Sequence, residues 1–328
     1  MNTKLYPIKF TPILKDKIWG GDKLKLTLDK KSELEKLGES WELSGVEGDI
    51  SVVSNGFLAG NNLQEIIEIY MGDLVGESIY SKFGNEFPLL FKFIDANDDL
   101  SIQVHPDDKL SKERHNAFGK TEMWYVLQAE PKSQLVSGFV KESTKEEYLK
   151  ALSDGKLMSL LKSHEVSEGD TFFIRAGNVH AIGAGVLLAE IQQTSDVTYR
   201  IYDYDRKDSA GNTRELHTDL ALDAIDYKDT NEKVSYSAKK NEAVNLASCQ
   251  YFVTNLLHIN EAFERDVYLL NSFVVYMCVS GSAKIMCTNG EKETITKGET
   301  VLIPAAIDGV TIEPDGDAKL LEVYIKEV

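Results

Sequence analysis

The amino-acid sequence predicts a mainly β protein made of two sandwich- or barrel-like units with a few helices. Three observations carry that prediction. Apolar stretches of strand length recur at short intervals with Gly, Asp, Asn and Pro between them, helical periodicity is confined to a few places, and the strand style resumes after a charged stretch late in the chain. A length of 328 residues, at roughly 100 to 200 per domain, agrees with two units.

The elements follow in order. Residues 62–82 and 143–163 carry apolar positions three or four apart and are read as helices; in the second, Ser143 precedes Glu146 at capping-box spacing. FPLLFKFI (87–94), SIQVH (101–105), EMWYVLQ (122–128), SQLVSGF (133–139), DTFFI (170–174), GVLLAEIQQ (185–193) and VTYRIYDY (197–204) are read as strands of a first sandwich or barrel. YFVTNLLHI, SFVVYMCVSGSAKIMCT, ETVLIPA and KLLEVYIKE supply a second all-β unit. Between them YKDTNEKVSYSAKKNEA, residues 227–243, has the content of a solvated connection, so the expected division is 1–226, 227–243 and 244–328.

Composition narrows the function classes. The 36 basic and 53 acidic residues leave a formal charge of −17, a field that repels polyanions, so nucleic acid and an anionic membrane surface are excluded as partners. A small phosphorylated substrate is disfavoured more weakly, because whole-molecule charge does not describe one pocket. Cys249, Cys278 and Cys287 are odd in number and form no C-x-x-C pair, which reads as reduced thiols rather than a disulfide framework or zinc knuckle. The opening MNTKLYPIKF has no apolar leader core, and no apolar run approaches 18 residues, so a cytoplasmic location is expected.

An internal comparison adds an asymmetry. The chain reads GDTFFIRAGNVH from Gly169 to His180 and GETVLIPAAIDG from Gly298 to Gly309, each with a tyrosine-bearing apolar strand upstream, at Tyr125 and Tyr276. Matching the tyrosines sets Glu122 against Phe273, and matching the glycines sets His180 against Gly309. Metal-ligand residue types stand in the first copy alone, as expected of a working unit beside a degenerate one.

Gln103 and His105 are two apart in a strand and share a face. Glu122 opens another strand and His180 sits in a turn. Two imidazoles, a carboxylate and an amide oxygen suit a borderline ion such as Zn²⁺, whereas Ca²⁺ would want more oxygens. A lone His is more often a hydrogen-bonded structural residue than a ligand, and Q-x-H alone is a weak pattern. Lys92 lies inside an apolar run, where an ammonium must be functional or salt-bridged. Lys120, Arg175 and Arg200 are the other cations near these strands, and an ion-pair network with Asp196, Asp203 and Asp205 explains Arg200 nearly as well as a site does. His115, His164 and His217 fall in polar segments and His258 in an alternating strand; none is assigned a role.

FPLLFKFIDANDDLSIQVHPDD (87–108), GKTEMWYVL (119–127) and GNVHAIGAGVLLAEIQQTSDVTYRIYDYDR (177–206), with PIKFTPILKDKIWGG and GESWELSG near the start, resemble type I mannose-6-phosphate isomerases of the short bacterial form. The resemblance implies two cupin-type jelly-roll β-sandwiches, of which only the first holds metal. It implies one zinc per chain held by Gln103, His105, Glu122 and His180, with Gln103 the least certain ligand. It implies that Arg200 is catalytic and that Lys92, Ser101, Lys120 and Glu190 face substrate. The implied reaction interconverts mannose 6-phosphate and fructose 6-phosphate through a cis-enediol. Arg200 would stabilise the enediolate, with Lys120 as base ahead of Glu190. Lys92, Ser101 and Arg175 are candidate phosphate contacts; Arg175 stands where cupins usually have Pro. A monomer or weak homo-oligomer is expected. A sugar-phosphate-binding or regulatory cupin without turnover, and a related sugar isomerase or epimerase, are the competing readings.

Overall fold

The structure is a computed structural model that describes residues 4–207 and 211–326. Antiparallel strands dominate it. Sheet I runs in the order Thr171–Ile174, Glu122–Ala129, Val186–Gln193, Leu89–Ala96, Leu37–Leu43, Ile13–Gly21, and sheet II in the order Tyr199–Tyr202, Ile102–Val104, His180–Ile182, Gln134–Phe139, Leu161–Glu165. Sheet III runs Ala243–Ser248, Val253–Ile259, Ala318–Tyr324, Val274–Ser280, Thr300–Ile303, and sheet IV runs Phe263–Asp266, Gly309–Pro314, Ser282–Cys287, Lys292–Thr296. Sheets I and II form one sandwich, III and IV a second.

Period-2 alternation explains where the cores lie. Along Glu122–Ala129, Trp124 and Val126 join the interior of the first sandwich, while Met123, Tyr125 and Leu127 join a core shared with Val275, Met277, Leu321 and Val323 of sheet III. Sheets I and III therefore pack back to back. Their central strands are covered on both faces, which is why EMWYVL and FPLLFKF read as continuous rather than alternating apolar runs. The outer face of sheet II is covered by the helices Lys145–Ser153 and Thr218–Ala224 through Tyr148 and Ala221.

The expected helices are shorter than their periodic stretches. Residues 62–82 divide into Leu63–Tyr70, Gly72–Val75 and Glu77–Phe83, interrupted at Met71 (φ 48°) and Gly76 (φ 100°). Gly76 must be glycine, since a Cβ there would lie 2.1 Å from the Asn271 carbonyl oxygen. The second stretch forms an α-helix over Lys145–Ser153 and a short 3-10 helix over Leu157–Ser159, and becomes a strand at Leu161. Its capping box is Thr144 with Glu147, one residue beyond the Ser143–Glu146 expectation. Helix Asp108–His115 was not anticipated, because its polar composition gives it no apolar periodicity.

Strand pairing corrects the internal comparison. Thr171 pairs with Tyr125, whereas Thr300 pairs with Met277 rather than Tyr276. The tyrosine match is one residue out of step, and one residue exchanges the two faces of a strand. In the corrected alignment Glu122 corresponds to Val274, and Tyr276, which points into the second sandwich, corresponds to Trp124. Glu322, paired with Tyr276, then corresponds to Glu190, paired with Trp124. Each of these buried glutamates accepts a hydrogen bond from its aromatic neighbour, Trp124 Nε1 at 3.0 Å and Tyr276 Oη at 3.1 Å.

The 227–243 segment is less solvated than its composition suggests. Asn231 donates to the Phe173 carbonyl at 2.7 Å, Val234 N to Thr171 O at 2.8 Å, and Tyr236 Oη to Gly169 O at 2.5 Å, so the segment is strapped along the edge of sheet I. The N-terminal segment crosses the other way, Ile8 exchanging both backbone hydrogen bonds with Leu302 of sheet III. The three cysteines are unpaired. No helix among the described residues is long and apolar enough to cross a membrane.

Candidate active site

Inside the first sandwich, sheet II contributes His105 and His180 and sheet I contributes Glu122, all fully buried, with their ligand atoms within 4.8 Å of one another. Antiparallel pairing sets Gln103 directly between His180 and Arg200, which brings residues distant in sequence onto one patch. His105 Nδ1 lies 3.0 Å from the Val197 carbonyl and His180 Nδ1 lies 2.9 Å from the Asn178 carbonyl. Each Nδ1 therefore carries the proton and donates it to that carbonyl, which turns the Nε2 lone pairs inward.

Glu122 Oε2 is 3.6 Å from His105 Nε2 and Glu122 Oε1 is 3.5 Å from His180 Nε2. A tetrahedral ion with bonds of about 2.1 Å separates its ligand atoms by about 3.4 Å, so the spacing fits one ion. His105 Nε2 and both Glu122 oxygens are buried without a hydrogen-bond partner, as expected of groups arranged for a cation. Burial pushes the Glu122 carboxyl up to about 8, with Glu190 adding to the effect, and pushes His180 down to about 4 and His105 well below its ordinary value. This cluster could bind a metal. Gln103 Nε2 sits 3.3 Å from His180 Nε2, so its amide must turn over to present an oxygen to an ion.

Above the cluster opens a cavity of about 360 Å³. Its lining brings together Lys92, Ser101, Gln103, Lys120, Glu190 and Arg200 but not Arg175. Lys120 Nζ is 3.6 Å from Glu122 Oε2 and ties the cavity floor to the metal-type cluster.

Lys92 is salt-bridged. Its Nζ donates to Glu190 Oε1 at 2.9 Å and Gln192 Oε1 at 2.7 Å, and it lies 5.1 Å from the Trp41 ring centre. Burial would raise the Glu190 carboxyl, but Lys92 and Lys120 overcome that and bring it down to about 2. Both side chains of the pair are about 5% exposed, so Lys92→Met leaves a carboxylate stranded indoors and should cost about 3–5 kcal/mol in urea unfolding. Adding Glu190→Gln should recover part of that loss. The depressed Glu190 contributes stability that is complete above its ordinary value of 4.5 and lost as pH falls toward about 2, so the single variant should also flatten that acid slope.

Arg200 Nη1 donates to the Glu215 carbonyl at 2.8 Å, while its buried Nε has no partner. The expected ion-pair network lies elsewhere: Asp203 binds Arg214 in a two-point contact and Arg206 at 3.1 Å. Arg175 is 58% exposed, pairs with Asp229 at 3.3 Å and does not line the cavity, so its proximity in sequence to His180 does not become proximity to the site. His164 is buried edge-on against Phe172 instead of lying in solvent.

Sequence reasoning missed Lys15, Lys17, Trp19, Glu39, Trp41 and Arg214, which also line the cavity. Tryptophan was the available signal. The chain has three, and Trp19 and Trp41 line the cavity while Trp124 lies edge-on to His180.

Residues 8–154 match the family described as phosphomannose isomerase type I, catalytic domain. A mannose-6-phosphate isomerase of Streptococcus mutans is 35% identical over 317 residues, covering 95% of this chain and 96% of that protein. The chain belongs to the type I phosphomannose isomerase family. The family's mannose-6-phosphate isomerase ManA of Bacillus subtilis is 33% identical over 94% of this chain and 96% of its own length. A crystal structure of the mannose 6-phosphate isomerase from Bacillus subtilis superposes with a TM-score of 0.87 at 31% identity, covering 98% of this chain and all of that one. Membership in the phosphomannose isomerases carries the cupin sandwich with it.

Proposed function

We propose that the chain is a zinc-dependent aldose–ketose isomerase that interconverts mannose 6-phosphate and fructose 6-phosphate through a cis-enediol. One observation carries the reading: a buried carboxylate with no hydrogen-bond partner and two inward imidazole lone pairs lie directly behind Gln103 and Lys120, in the lining of a cavity whose walls bring Lys92, Lys120 and Arg200 together. His105, Glu122 and His180 would hold the ion, with Gln103 as a further ligand after its amide turns. A zinc ion there supplies Lewis-acid polarisation of the substrate carbonyl.

The chain's own residues do the rest. Lys120 is assigned the transfer of the proton between C2 and C1: it is an amine at the cavity floor, 5% exposed, beside the cluster. Arg200 is a permanent planar cation with an unused Nε donor, suited to stabilising charge that develops on the enediolate oxygens. Glu190 has both oxygens committed, to Lys92 and Trp124, and acts by holding Lys92 in place. The Lys92 ammonium uses two of its three donors on Glu190 and Gln192, which leaves one for substrate. Ser101 and the cations at the wall are assigned to the phosphate.

A coupled assay that converts fructose 6-phosphate onward to glucose 6-phosphate tests the reading, run with and without chelator and against other sugar phosphates. Chelator-sensitive turnover of mannose 6-phosphate is expected. Binding without turnover would favour the regulatory reading, and faster turnover of another sugar phosphate would favour a related isomerase or epimerase.

Because the global charge of −17 opposes long-range capture of an anion, KM rests on contacts inside the cavity. Raising salt from about 0.05 to 0.5 M should then increase KM by less than about threefold, and a steep rise would show a field reaching into solvent. The cavity is complete within one chain, consistent with a monomer or weak homo-oligomer. The unpaired cysteines fit the reducing cytoplasm. The second sandwich, residues 244–328, is read as a copy without ligands, and 227–243 as its connection to residues 1–226.

A further inference from the structure

The stretch between His105 and Glu122 is held by a carboxylate that touches neither substrate space nor the metal-type cluster. Asp108 opens the helix Asp108–His115, and its Oδ1 accepts from Gly119 N at 2.9 Å and from Gln193 Nε2 at 2.9 Å. Gln193 is itself buried, accepts from Thr121 N through Oε1 at 2.9 Å, and donates its backbone N–H to Thr121 O at 3.1 Å. The amides of Gly119 and Thr121, the residues on either side of Lys120, thus depend on Asp108, one directly and one through Gln193, while Lys120 N itself donates to the Pro106 carbonyl at 3.2 Å. The fit is close: a Cβ on Gly119 would lie 2.5 Å from Asp108 N. No larger residue could bring the strand entry so near the helix start.

The other Asp108 oxygen reaches across to the second sandwich. Tyr251 Oη donates to Asp108 Oδ2 at 2.6 Å, the length of a hydrogen bond to an ionised carboxylate. Tyr251 occupies the turn between Ala243–Ser248 and Val253–Ile259, where Cys249 N bonds Phe252 O at 3.0 Å. Phe252, the next residue, is fully buried and lies edge-on to Phe173 of sheet I. The tip of that hairpin is therefore anchored on the first sandwich at two adjacent positions, one apolar and one charge-assisted.

We infer that Asp108 and Tyr251 are positioning residues of the isomerase, through which a hairpin of the second sandwich sets the placement of Lys120 and Glu122. The inference rests on the function proposed above. It gives the ligand-free sandwich a task besides packing: a fixed outside point for the loop that delivers the reactive amine. Misplacement of a reacting group by about 1 Å costs up to about 10²-fold in rate, and loss of supporting partners typically costs 10- to 100-fold.

The test uses the full-length, zinc-loaded chain. Asp108→Ala should lower kcat about 10- to 100-fold with KM within about threefold, and Tyr251→Phe should lower kcat about 3- to 10-fold. Asp108→Asn retains an acceptor for Gly119 and should restore most of the loss. The double variant Asp108→Ala/Tyr251→Phe should be no slower than Asp108→Ala, since both act through one carboxylate. Amide hydrogen exchange at Gly119 and Thr121, measured without substrate, should accelerate in both single variants. Tyr251→Phe removes one hydroxyl from a half-buried site, so it answers the question even where Asp108→Ala fails to fold. Wild-type turnover of mannose 6-phosphate together with unchanged kcat and unchanged exchange in Tyr251→Phe would overturn the inference, as would fully multiplicative effects in the double variant. A wild-type chain inactive on mannose 6-phosphate would overturn the isomerase reading instead, and the exchange measurement would still decide the coupling.

Discussion

His180→Ala should abolish zinc binding and lower kcat/KM by about 10³-fold or more. The substitution removes one of three inward-facing donors from a fully buried cluster, and Lewis-acid stabilisation of the developing charge is worth several kcal/mol, at 1.36 kcal/mol per factor of ten. Loss of activity alone would not separate a ligand from a structural histidine, and Glu122→Gln makes that separation. The Glu122 carboxyl lies buried between two imidazoles with neither oxygen hydrogen-bonded and Lys120 Nζ 3.6 Å away, and burial pushes it up to about 8, so in the metal-free chain near neutrality it is mostly uncharged and its charge contributes little to stability. Glu122→Gln should therefore leave the chelated protein no less stable in urea than the chelated wild type, while the zinc content of the purified variant falls toward zero and turnover falls with it. One zinc per chain and near-normal turnover in Glu122→Gln would remove this residue from the ligand set.

Lys120→Met should lower kcat about 10²- to 10⁴-fold, the usual contribution of a positioned acid or base, with KM changed far less. Methionine keeps the length and apolar stem of lysine, so the loss would report on the amine. Glu190→Gln is the necessary comparison. Its carboxylate is held down to about 2 by Lys92 and Lys120 against the effect of burial, and both oxygens already accept hydrogen bonds, which makes it a poor proton acceptor near neutrality. Glu190→Gln should cost stability, by uncoupling Lys92, more than it costs the chemical step. Near-normal kcat in Lys120→Met with a large loss in Glu190→Gln would reverse the two roles.

What the sequence disclosed followed from local geometry. Q-x-H places two side chains on one strand face, and strands broken by Gly, Asp and Pro are visible without partners, so Gln103, His105, Glu122 and His180 were within reach. Strand order was not. Lys15, Lys17, Trp19 and Trp41 enter the cavity because Leu37–Leu43 pairs with Leu89–Ala96 and Ile13–Gly21 pairs with Leu37–Leu43, a sheet order that no local pattern encodes. The tyrosine match failed for a related reason. Tyr125 and Tyr276 are the same residue type on opposite faces of corresponding strands, and only pairing partners reveal the one-residue step. The break at Met71 depends on a left-handed backbone at a residue whose side chain gives no hint of it. Arg175 shows the opposite error, a cation close to His180 in the chain but turned to Asp229.

The placement of Trp19 and Trp41 in the cavity wall and of Trp124 against His180 makes the chain its own optical probe. Every indole that absorbs near 295 nm belongs to the walls or support of the site, and the second sandwich contributes none. Emission from the unlabelled protein therefore follows filling of the cavity, with no background from the remainder of the fold. Unfolding of residues 244–328 alone, by contrast, would be nearly dark in that channel and visible only through tyrosine or the far ultraviolet, so the two halves of the molecule can be watched separately without attaching anything to either.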